Sequence, residues 1–450
     1  MNAIPLFPPL DPSTPFTWRQ GQVIRRGRFQ HDVLSLAERL PAQGALLNLC
    51  QDRYHFAVSL FAAFARGLLT VLPNSAAPEH LAAVAAEQTD LLVLGDQADN
   101  PLPSHPFLHI NLDGEDPADW RRDNPLIPAD RRVACVYTSG STGTPSAHYK
   151  TFGRLRLAIL AGAERVWDTA GGRCSVLGTV PIRHMYGLES SVLLPVLAGG
   201  RMSTRLPFFP ADIAASLAEM TAPRLLVITP FHLRKLLEAD ITLPPVAAIL
   251  SATAPLSVEL ARQAEARLGC PVLEIYGSTE TGQLATRQPC RDDIWHNVAG
   301  ITLQQQGEDT WAVGEVYETP QILNDTVELL SADTFRLIDR KANMINVAGK
   351  RSSLTYLNNL ITRLPGVEDG VFCIPRTRHA REVERLAAFV VAPSLQREAI
   401  LAGLRAHIDP VFLPRPIVFV DSLPRDGNGK ILARTLEALI QQHIDGPESP

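Results

Sequence analysis

The feature that most constrains the fold is a regular alternation of strand-like and helix-like segments between Leu46 and Gly277. Short apolar runs are separated by longer segments with helical periodicity, and this order favours layered α/β architecture with largely parallel sheets. The strand-like runs are Leu91–Gly95, Val133–Tyr137, Val176–Pro181, Leu225–Thr229, Val246–Ser251 and Val272–Tyr276. The helix-like segments are Glu79–Glu87, Leu155–Trp167, Ile213–Met220, Phe231–Glu238 and Ser257–Leu268. Ligands bind at the loops that follow such strands.

The length of 450 residues is too great for a single ordinary core and predicts two or three domains. Because the pattern changes near Asp339, we predict an N-terminal domain over residues 1–340 and a smaller C-terminal domain over residues 341–450. The second segment mixes strand-like runs at Gly370–Ile374 and Ala387–Val391 with a helix-like run at Ala399–Ile408. Its size is usual for a domain.

Composition excludes several classes of function. The net charge of −5 does not indicate a nucleic-acid-binding protein, which would usually be basic. The six cysteines are scattered without a CxxC pair, which fits neither a zinc site nor a disulfide framework. The N-terminus lacks the basic start and apolar core of a signal peptide. The most apolar stretch, Phe56–Leu72, is interrupted by Arg66 and is short for a bilayer span, so we expect a buried helix followed by a strand, in a cytoplasmic protein.

The strongest local signal is Tyr137–Pro145, with the sequence YTSGSTGTP, in which an apolar strand runs into seven residues that are all Ser, Thr or Gly. The backbone N–H groups of such a loop can form an anion nest, and its glycines permit close approach to a phosphate. No Gly-Lys-Ser/Thr follows, so the loop is not a Walker A motif. On composition alone, a flexible Ser/Gly loop is an equally good interpretation.

Three further motifs follow in order along the chain. They are Glu274–Gly282 (EIYGSTETG), Phe335–Lys341 (FRLIDRK) ahead of Gly349–Arg351, and Leu423–Ile431 (LPRDGNGKI). Together with the hydroxyl-rich loop they resemble the acyl-adenylate-forming (AMP-dependent synthetase/ligase) superfamily, over about Val133 to Leu436. Within it the chain is most like stand-alone AMP-ligases and acyl-CoA synthetases. The resemblance implies a large N-terminal domain of layered α/β sheets, a mobile α+β C-terminal domain, and the use of ATP and Mg²⁺ to activate a carboxylic acid.

The resemblance also implies a nucleotide site. The β- and γ-phosphates of ATP would be held by Thr138, Ser139, Gly140, Ser141, Thr142 and Gly143. The adenine would lie beside Tyr276, Gly277, Thr253 and Ala254, although the family often has glycines where Ala252 and Thr253 stand. Asp325 and Arg340 would hold the ribose. The family lysine that follows the loop proline is Ser146 in this chain, and Lys150 is a candidate substitute.

Four residues are implied in the chemistry. Thr279 resembles the family's α-phosphate contact and Glu280 its Mg²⁺ ligand, a hard carboxylate for a hard ion; alone, the pair fits a helix N-cap with a first-turn acid. Lys430 resembles the catalytic lysine, since a cation that bridges the carboxylate and the α-phosphate orients both. The alternative interpretation of Lys430 is a lysine in an ordinary turn. His184 matches a segment that borders the acid pocket, although a lone histidine is more often structural.

The second half-reaction would transfer the acyl group to a thiol. The C-terminal domain would swing about a hinge near Lys341 and open a channel for pantetheine. The compact chain, with no fused carrier domain, resembles ligases that prime carrier proteins in bacterial aryl-polyene or fatty-acid-like pathways. An acyl carrier protein is therefore the expected acceptor, with coenzyme A as the alternative, and apolar residues near the site favour an aryl or medium acyl group. Because Ser146 replaces the usual lysine, a second hypothesis is that the chain is not an enzyme but a catalytically degenerate nucleotide-binding protein.

Overall fold

The chain forms two compact units in a computed structural model. The first unit comprises Met1–Gln304, Ala312–Gln321 and Ala332–Thr334, and the second comprises Gln305–Trp311, Ile322–Ser331 and Phe335–Pro450. The structure describes residues 3–19, 21–73, 77–113, 123–139, 145–307, 309–340, 344–347, 350–375, 386–425, 431 and 433–444. The predicted domain boundary at residue 340 stays a prediction.

Strands and helices alternate through the first three hundred residues. The strands are β1 (Ala3–Pro5), β2 (Pro15–Arg19), β3 (Gln22–Arg25), β4 (Ala45–Asn48), β5 (Leu69–Leu72), β6 (Leu91–Gly95), β7 (Phe107–His109), β8 (Leu126–Pro128), β9 (Arg132–Ser139), β10 (Pro145–Thr151), β11 (Ser175–Gly178), β12 (Arg201–Ser203), β13 (Arg224–Ile228), β14 (Ala248–Ser251), β15 (Val272–Ser278), β16 (Gly282–Arg287) and β17 (Ile294–Asn297). The helices are α1 (Arg26–Arg39), α2 (Arg53–Arg66), α3 (Pro78–Ala86), α4 (Phe152–Ala170), α5 (Met185–Leu188), a π-helical turn (Glu189–Leu193), α6 (Leu194–Leu197), α7 (Pro210–Glu219), α8 (Pro230–Glu238) and α9 (Val258–Leu268).

Two sheets organise the first unit. One has the strand order β10-β9-β5-β4-β6-β7, in which β10 pairs antiparallel with β9 and the other pairs are parallel. The other runs β17-β16-β15-β14-β13-β11-β12-β2-β3, and its parallel centre is flanked by antiparallel strands on both sides. The predicted layered α/β class is confirmed, and the carboxyl ends of β11, β13, β14 and β15 share one edge, where ligands bind in such sheets.

The predicted segments of the first unit all occur, with shifted ends. The run Val176–Pro181, for example, ends as a strand at Gly178. The apolar stretch Phe56–Leu72 is α2 followed by β5, as expected, and α2 is buried along nearly its whole length, including its polar residues Arg53 and His55. The Asp52 carboxylate caps the first turn of α2, and Gly67 ends it in the left-handed conformation that glycine adopts without strain.

The six cysteines are free. Cys290 is half-buried and the other five are buried. Burial raises the pKa of the Cys135, Cys174 and Cys270 thiols to about 11, so they remain protonated at neutral pH. Among the described residues, no helix combines the length and the apolar character needed to cross a bilayer.

The second unit is a smaller α+β body, as implied by the family resemblance. After β18 (Ile301–Gln306), β19 (Asp309–Gly314) and β20 (Gln321–Ile322), its elements are β21 (Asp325–Leu329), β22 (Thr334–Arg340), β23 (Met344–Val347), β24 (Lys350–Ser353), α10 (Leu354–Ile361), β25 (Asp369–Cys373), β26 (Ala387–Val391), α11 (Arg397–Arg405), a 3-10 turn (Pro410–Phe412), β27 (Ile417–Phe419) and α12 (Ala433–His443). Its sheet has the order β25-β26-β27. Helix α11 begins and ends earlier than the predicted run Ala399–Ile408.

Candidate active site

A tight turn between β15 and β16, named turn 278–281 after its residues, carries two of the predicted site residues. The Ser278 N–H donates to Thr281 Oγ1 at 2.9 Å, and the Thr281 N–H donates to Ser278 Oγ at 3.2 Å. This reciprocal pair presents Thr279 and Glu280 as the two central residues, and both are half-buried. The alternative interpretation of a helix N-cap is wrong, because the chain reverses into the antiparallel strand β16.

The Glu280 carboxylate lies beside a histidine on β10. His148 Nε2 is 3.7 Å from Glu280 Oε1, and the Glu280 side chain is 36% exposed. Burial raises the pKa of Glu280, but the Ser278 hydroxyl and the charges of His148 and Lys150 outweigh it, so the pKa lies below its ordinary value. Mg²⁺ is commonly held by one or two carboxylates together with substrate phosphates. A half-exposed, ionised Glu280 fits that requirement, and the described residues contain no group of three or more metal-binding side chains.

Behind turn 278–281 lie two charged residues, Lys150 on β10 and Glu189 on the π-helical turn. Lys150 Nζ donates to the main-chain oxygens of Thr279 at 2.7 Å and of Glu280 at 3.1 Å. Burial lowers the pKa of Lys150, and the charges of Glu189 and Glu280 act in the opposite direction. Burial raises the pKa of Glu189 to about 7, against the Lys150 charge and the Gln283 backbone N–H. Sequence reasoning named Lys150 only as a substitute and missed Glu189.

The predicted phosphate loop joins two paired strands. In the β9–β10 hairpin Thr138 lies opposite Ser146 and Ser139 lies opposite Pro145. Gly140, Ser141, Thr142 and Gly143 fall outside the described residues. The hairpin continues to Lys150 and Thr151, so the strand after the loop is the one that carries the His148 and Lys150 contacts to turn 278–281.

The predicted adenine-side residues come from two adjacent strands. Ser251, the last residue of β14, lies opposite Glu274 of β15. Thr253 and Ala254 therefore follow the end of β14, and Tyr276 and Gly277 lie in the last part of the neighbouring strand β15. Thr253 has a φ of 80°, and its buried Oγ1 has no hydrogen-bond partner among the described residues. The Tyr276 ring lies 5.6 Å from that of Trp295, over which the Arg287 guanidinium sits at 4.7 Å. The adenine contact itself stays a prediction.

His184 lies at the start of α5. Its Nδ1 accepts the Tyr186 N–H at 3.3 Å, and the Tyr186 hydroxyl donates to the Leu250 main-chain oxygen at 2.6 Å. These bonds tie α5 to the end of β14. An apolar cluster surrounds the tie and includes Val180, Tyr186, Leu250, Ala252 and, partly buried, Ile275. His184 therefore borders an apolar wall at the edge where β11, β14 and β15 end, and part of its role is structural.

The remaining predicted residues belong to the second unit. Asp325 and Arg340 lie directly opposite each other in the β21–β22 hairpin. The Arg340 side chain and Lys430 fall outside the described residues. The roles assigned to these three residues stay predictions.

A buried ion pair under the site was not predicted from the sequence. Arg287 Nε donates to Glu274 Oε2 at 2.7 Å, and Glu274 Oε1 accepts the Leu256 N–H at 2.8 Å. Burial raises the pKa of Glu274, and the Arg287 charge opposes that change. The pair joins β15, β16 and the loop after β14. The sequence does show an acidic residue, Glu274, within the apolar run of β15. Its partner Arg287 lies on β16, an antiparallel strand that was not predicted.

The fold and this edge of the sheet define a class: an α/β protein of two compact units, in which a turn that carries a hydroxyl and a carboxylate follows a central strand. The chain belongs to the AMP-binding enzyme family. The family's main domain matches residues 29–304, and its C-terminal domain matches residues 357–430. The predicted superfamily is confirmed, and the protein is an AMP-forming acid–thiol ligase.

Curated relatives and solved structures agree with this assignment. A 4-coumarate–CoA ligase of Halorhodospira halophila is 28% identical over 65% of this chain and 73% of its own. The fatty acid–[acyl-carrier-protein] ligase ScoC of Streptomyces coeruleorubidus is 26% identical over 95% of this chain and 93% of its own. ATP-bound MatB of Rhodopseudomonas palustris superposes with a TM-score of 0.80 at 19% identity, covering 96% of each chain. An o-succinylbenzoate CoA synthetase of Bacillus subtilis superposes with a TM-score of 0.79 at 17% identity, covering 95% of this chain and 96% of its own.

Proposed function

We propose that the enzyme activates an aryl or medium-chain carboxylic acid with ATP and transfers the acyl group to the phosphopantetheine thiol of an acyl carrier protein. In the first step a carboxylate oxygen attacks the α-phosphorus of ATP and pyrophosphate leaves. In the second step the thiol attacks the acyl carbon and AMP leaves. The observation that carries the proposal is turn 278–281, which presents a hydroxyl and an ionised carboxylate side by side at the ligand-binding edge of the sheet.

The residues of this turn have complementary tasks in the first step. The Thr279 hydroxyl donates to the α-phosphate, and Glu280 holds Mg²⁺ together with the phosphates. Mg²⁺ held there would supply positive charge to the phosphates and so would favour departure of pyrophosphate. The residues Thr138 to Gly143 bind the β- and γ-phosphates through backbone N–H groups and hydroxyls. Tyr276, Gly277, Thr253 and Ala254 border the adenine, and Asp325 and Arg340 bind the ribose hydroxyls.

Lys430 is the catalytic lysine of this proposal. Its ammonium bridges the attacking carboxylate and the α-phosphate, two anions that otherwise repel each other. It belongs to the proposed C-terminal domain, residues 341–450, which moves between the two half-reactions. His184 borders the acid, and the apolar cluster around Tyr186, Leu250 and Ala252 favours an uncharged aryl or acyl group.

The choice of acceptor rests on the extent of similarity. The carrier-protein ligase ScoC aligns with almost the whole chain, whereas the 4-coumarate–CoA ligase aligns with about two thirds. Transfer to free coenzyme A is the second candidate, and the similarity to the 4-coumarate–CoA ligase favours it. Both acceptors present the same pantetheine arm, so the first half-reaction does not depend on the choice.

The test is a matrix of acids and acceptors. The purified protein is mixed with ATP, Mg²⁺ and hydroxybenzoates, cinnamates or medium-chain fatty acids, with either coenzyme A or a phosphopantetheinylated carrier protein. AMP and pyrophosphate formation with one preferred acid, and acyl transfer to the carrier in preference to coenzyme A, is the expected result. Preference for coenzyme A selects the second candidate. ATP binding without AMP formation from any acid supports the degenerate binder instead.

Glu280→Gln is the matched variant for the metal. The amide keeps the shape of the side chain but removes the charge that a hard cation requires. We expect AMP formation to fall by a factor of about 10–100 and the Mg²⁺ requirement to rise. ATP binding measured without Mg²⁺ stays unchanged. Equal loss of metal-free ATP binding would assign Glu280 to the nucleotide rather than to the metal.

A further inference from the structure

Lys150 is bonded to the main chain of the two residues that carry the proposed phosphate and metal contacts. Its ammonium donates to the carbonyl oxygens of Thr279 at 2.7 Å and of Glu280 at 3.1 Å. A lysine ammonium has three N–H donors, and two of them are used by these carbonyls. Lys150 thus acts on the backbone of turn 278–281, which is a different task from that of a loop lysine aimed at phosphate.

Glu189 is the second charged residue beside turn 278–281. Its side chain is buried at 7% exposure, and the backbone N–H of Gln283 lowers its pKa against the effect of burial. A Cβ on Gly282 would lie 2.9 Å from Glu189 Oε1, so glycine at this position, with a φ of 63°, leaves the space that the carboxylate occupies. Gly282 and Gln283 directly follow turn 278–281. Glu189 therefore holds the chain where it leaves the turn.

The two charged residues act on one another. The field of Glu189 stabilises the Lys150 ammonium, and the field of Lys150 stabilises the Glu189 carboxylate. A buried charge is costly unless it is paired and hydrogen-bonded. Three separate elements, β10, the π-helical turn and the β15–β16 connection, therefore meet at turn 278–281. Lys150 donates to the backbone of residues 279 and 280, and the Glu189 carboxylate lies against Gly282.

We propose that Lys150 and Glu189 are positioning residues that fix turn 278–281 in the geometry needed for Thr279 and Glu280 to act. The proposal rests on the proposed function for the tasks of Thr279 and Glu280. Lys150 acts through main-chain hydrogen bonds and Glu189 through its position against Gly282, and this task explains why two buried charged side chains lie beside the turn. Loss of a group that orients a metal ligand typically lowers metal affinity or activity by about 10–100-fold.

The experiment compares the wild-type protein with Lys150→Met, Glu189→Gln, the double variant and Lys235→Met. Methionine keeps much of the length of the lysine stem and removes its donors. Lys235 is the control because it lies exposed on α8, where it pairs with Glu238 at 2.7 Å. Hydrogen–deuterium exchange of residues 276–284 is measured in the free protein, and kcat, the KM of the acid and the Mg²⁺ concentration for half-maximal AMP formation are measured with substrates.

Lys150→Met is expected to raise amide exchange across residues 276–284, to lower kcat by about 10–100-fold and to raise the Mg²⁺ requirement roughly fivefold, with the KM of the acid unchanged. Because Glu189 acts through the same turn, the double variant loses no more than about twofold beyond Lys150→Met. Lys235→Met behaves as wild type. Wild-type exchange and Mg²⁺ dependence in Lys150→Met, or additive losses in the double variant, overturn the proposal.

Two further outcomes are separable. If the wild-type protein forms no AMP with any acid, the proposed function fails, and the exchange measurement still decides whether Lys150 and Glu189 hold the turn. If Lys150→Met does not fold, Glu189→Gln decides instead: faster exchange at residues 276–284 with an unchanged unfolding temperature supports the proposal. Unchanged exchange in a folded Glu189→Gln variant contradicts it.

Discussion

Thr253 combines two unfavourable features at the ligand-binding edge. Its φ of 80° is a conformation that glycine adopts freely and a β-branched residue rarely adopts. Its Oγ1 is buried and has no hydrogen-bond partner among the described residues. Backbone strain of this kind costs about 1–3 kcal/mol and is concentrated at functional sites. The family often has glycine in this loop, so the chain tolerates a cost there that glycine would avoid.

Thr253→Gly is predicted to raise the free energy of unfolding by about 1 kcal/mol, because it removes both the strained side chain and the unpaired hydroxyl. Urea unfolding at neutral pH measures the change. Thr253→Ala is the control, since it removes the hydroxyl but retains a Cβ at positive φ. Equal stabilisation by the two variants would show that the hydroxyl, and not the backbone conformation, carries the cost.

Asp96 is the hydrogen-bond acceptor at the end of β6. Its carboxylate accepts the Gln51 N–H at 3.0 Å and the Asp52 N–H at 2.8 Å, and it lies 3.2 Å from His55 Nδ1. Burial raises the pKa of Asp96, but the hydrogen bonds from His55 and the two backbone groups outweigh it, so the pKa lies well below its ordinary 3.8. The carboxylate therefore links the β4–α2 loop to β6.

The pH dependence of stability follows from that shift. A depressed carboxyl pKa contributes stability above the ordinary value and loses it as the pH falls through that value towards the folded pKa. Asp96→Asn is predicted to cost about 1–3 kcal/mol at pH 7 and progressively less below about pH 4. Urea unfolding at pH 7, 5 and 3.5 gives the comparison. A penalty that does not change with pH would mean that packing or geometry, and not charge, explains the loss.

At the scale of the element, turn 278–281 depends on the glycine before it. A Cβ on Gly277 would lie 2.0 Å from the carbonyl oxygen of Gly282, a backbone atom that cannot move without opening the hairpin. This is a close approach between two strands, and it requires glycine on steric grounds alone. Gly277 and Gly282 also flank the turn that carries Thr279 and Glu280. The proposed chemistry therefore depends on the short distance between these two glycines.

Gly277→Ala is predicted to lower the free energy of unfolding by about 2–4 kcal/mol and to lower AMP formation by about 100-fold, because the turn must shift by an ångström or more. Gly269→Ala is the matched control: its φ is 66°, but no atom lies within 4 Å of the added Cβ. That variant should cost only about 1 kcal/mol, with unchanged kcat. Similar losses of activity in both variants would argue against the steric account.

Particular elements show where sequence reasoning succeeded and where it stopped. The parallel strands β13, β14 and β15 are short apolar runs between turn signals, and they were predicted. Strand β10 was missed, because Ser146–Thr151 is mostly polar and has no apolar face to detect. His148 and Lys150 lie two residues apart and so share one face of that strand. Their partners Glu280 and Glu189 are distant in sequence, and no local pattern encodes such a pairing.

At the scale of the whole molecule, the residues named in the proposed function are distributed over both units of the chain. The phosphate and metal contacts of the proposal lie in the first unit, and the ribose contacts and the catalytic lysine lie in the second. The two family domains match residues 29–304 and 357–430, and Asp325 and Arg340 lie between the two matched ranges. The motif order in the sequence was enough to predict the family, because the four motifs belong to different elements and their coincidence is specific.

Lys430→Ala tests that division. We predict that adenylate formation falls by about 10²–10³-fold, because one preorganised cation is removed from the transition state. ATP binding and the transfer of acyl from chemically prepared acyl-AMP to the thiol change little. Pyrophosphate release and thioester formation are measured separately, with Lys235→Ala as control. Equal loss of both half-reactions would remove Lys430 from its proposed role in the first step alone.

The burial of the cysteines has a consequence for side reactions. A mixed anhydride of acid and AMP acylates any thiolate that reaches it, and the enzyme must retain this product until the proper acceptor arrives. Five of its six cysteines are buried, and burial together with Glu265 raises the pKa of the half-buried Cys290 to about 11. At neutral pH the chain thus offers the anhydride few reactive sulfur atoms of its own. The same packing that stabilises the core protects the enzyme from acylating itself.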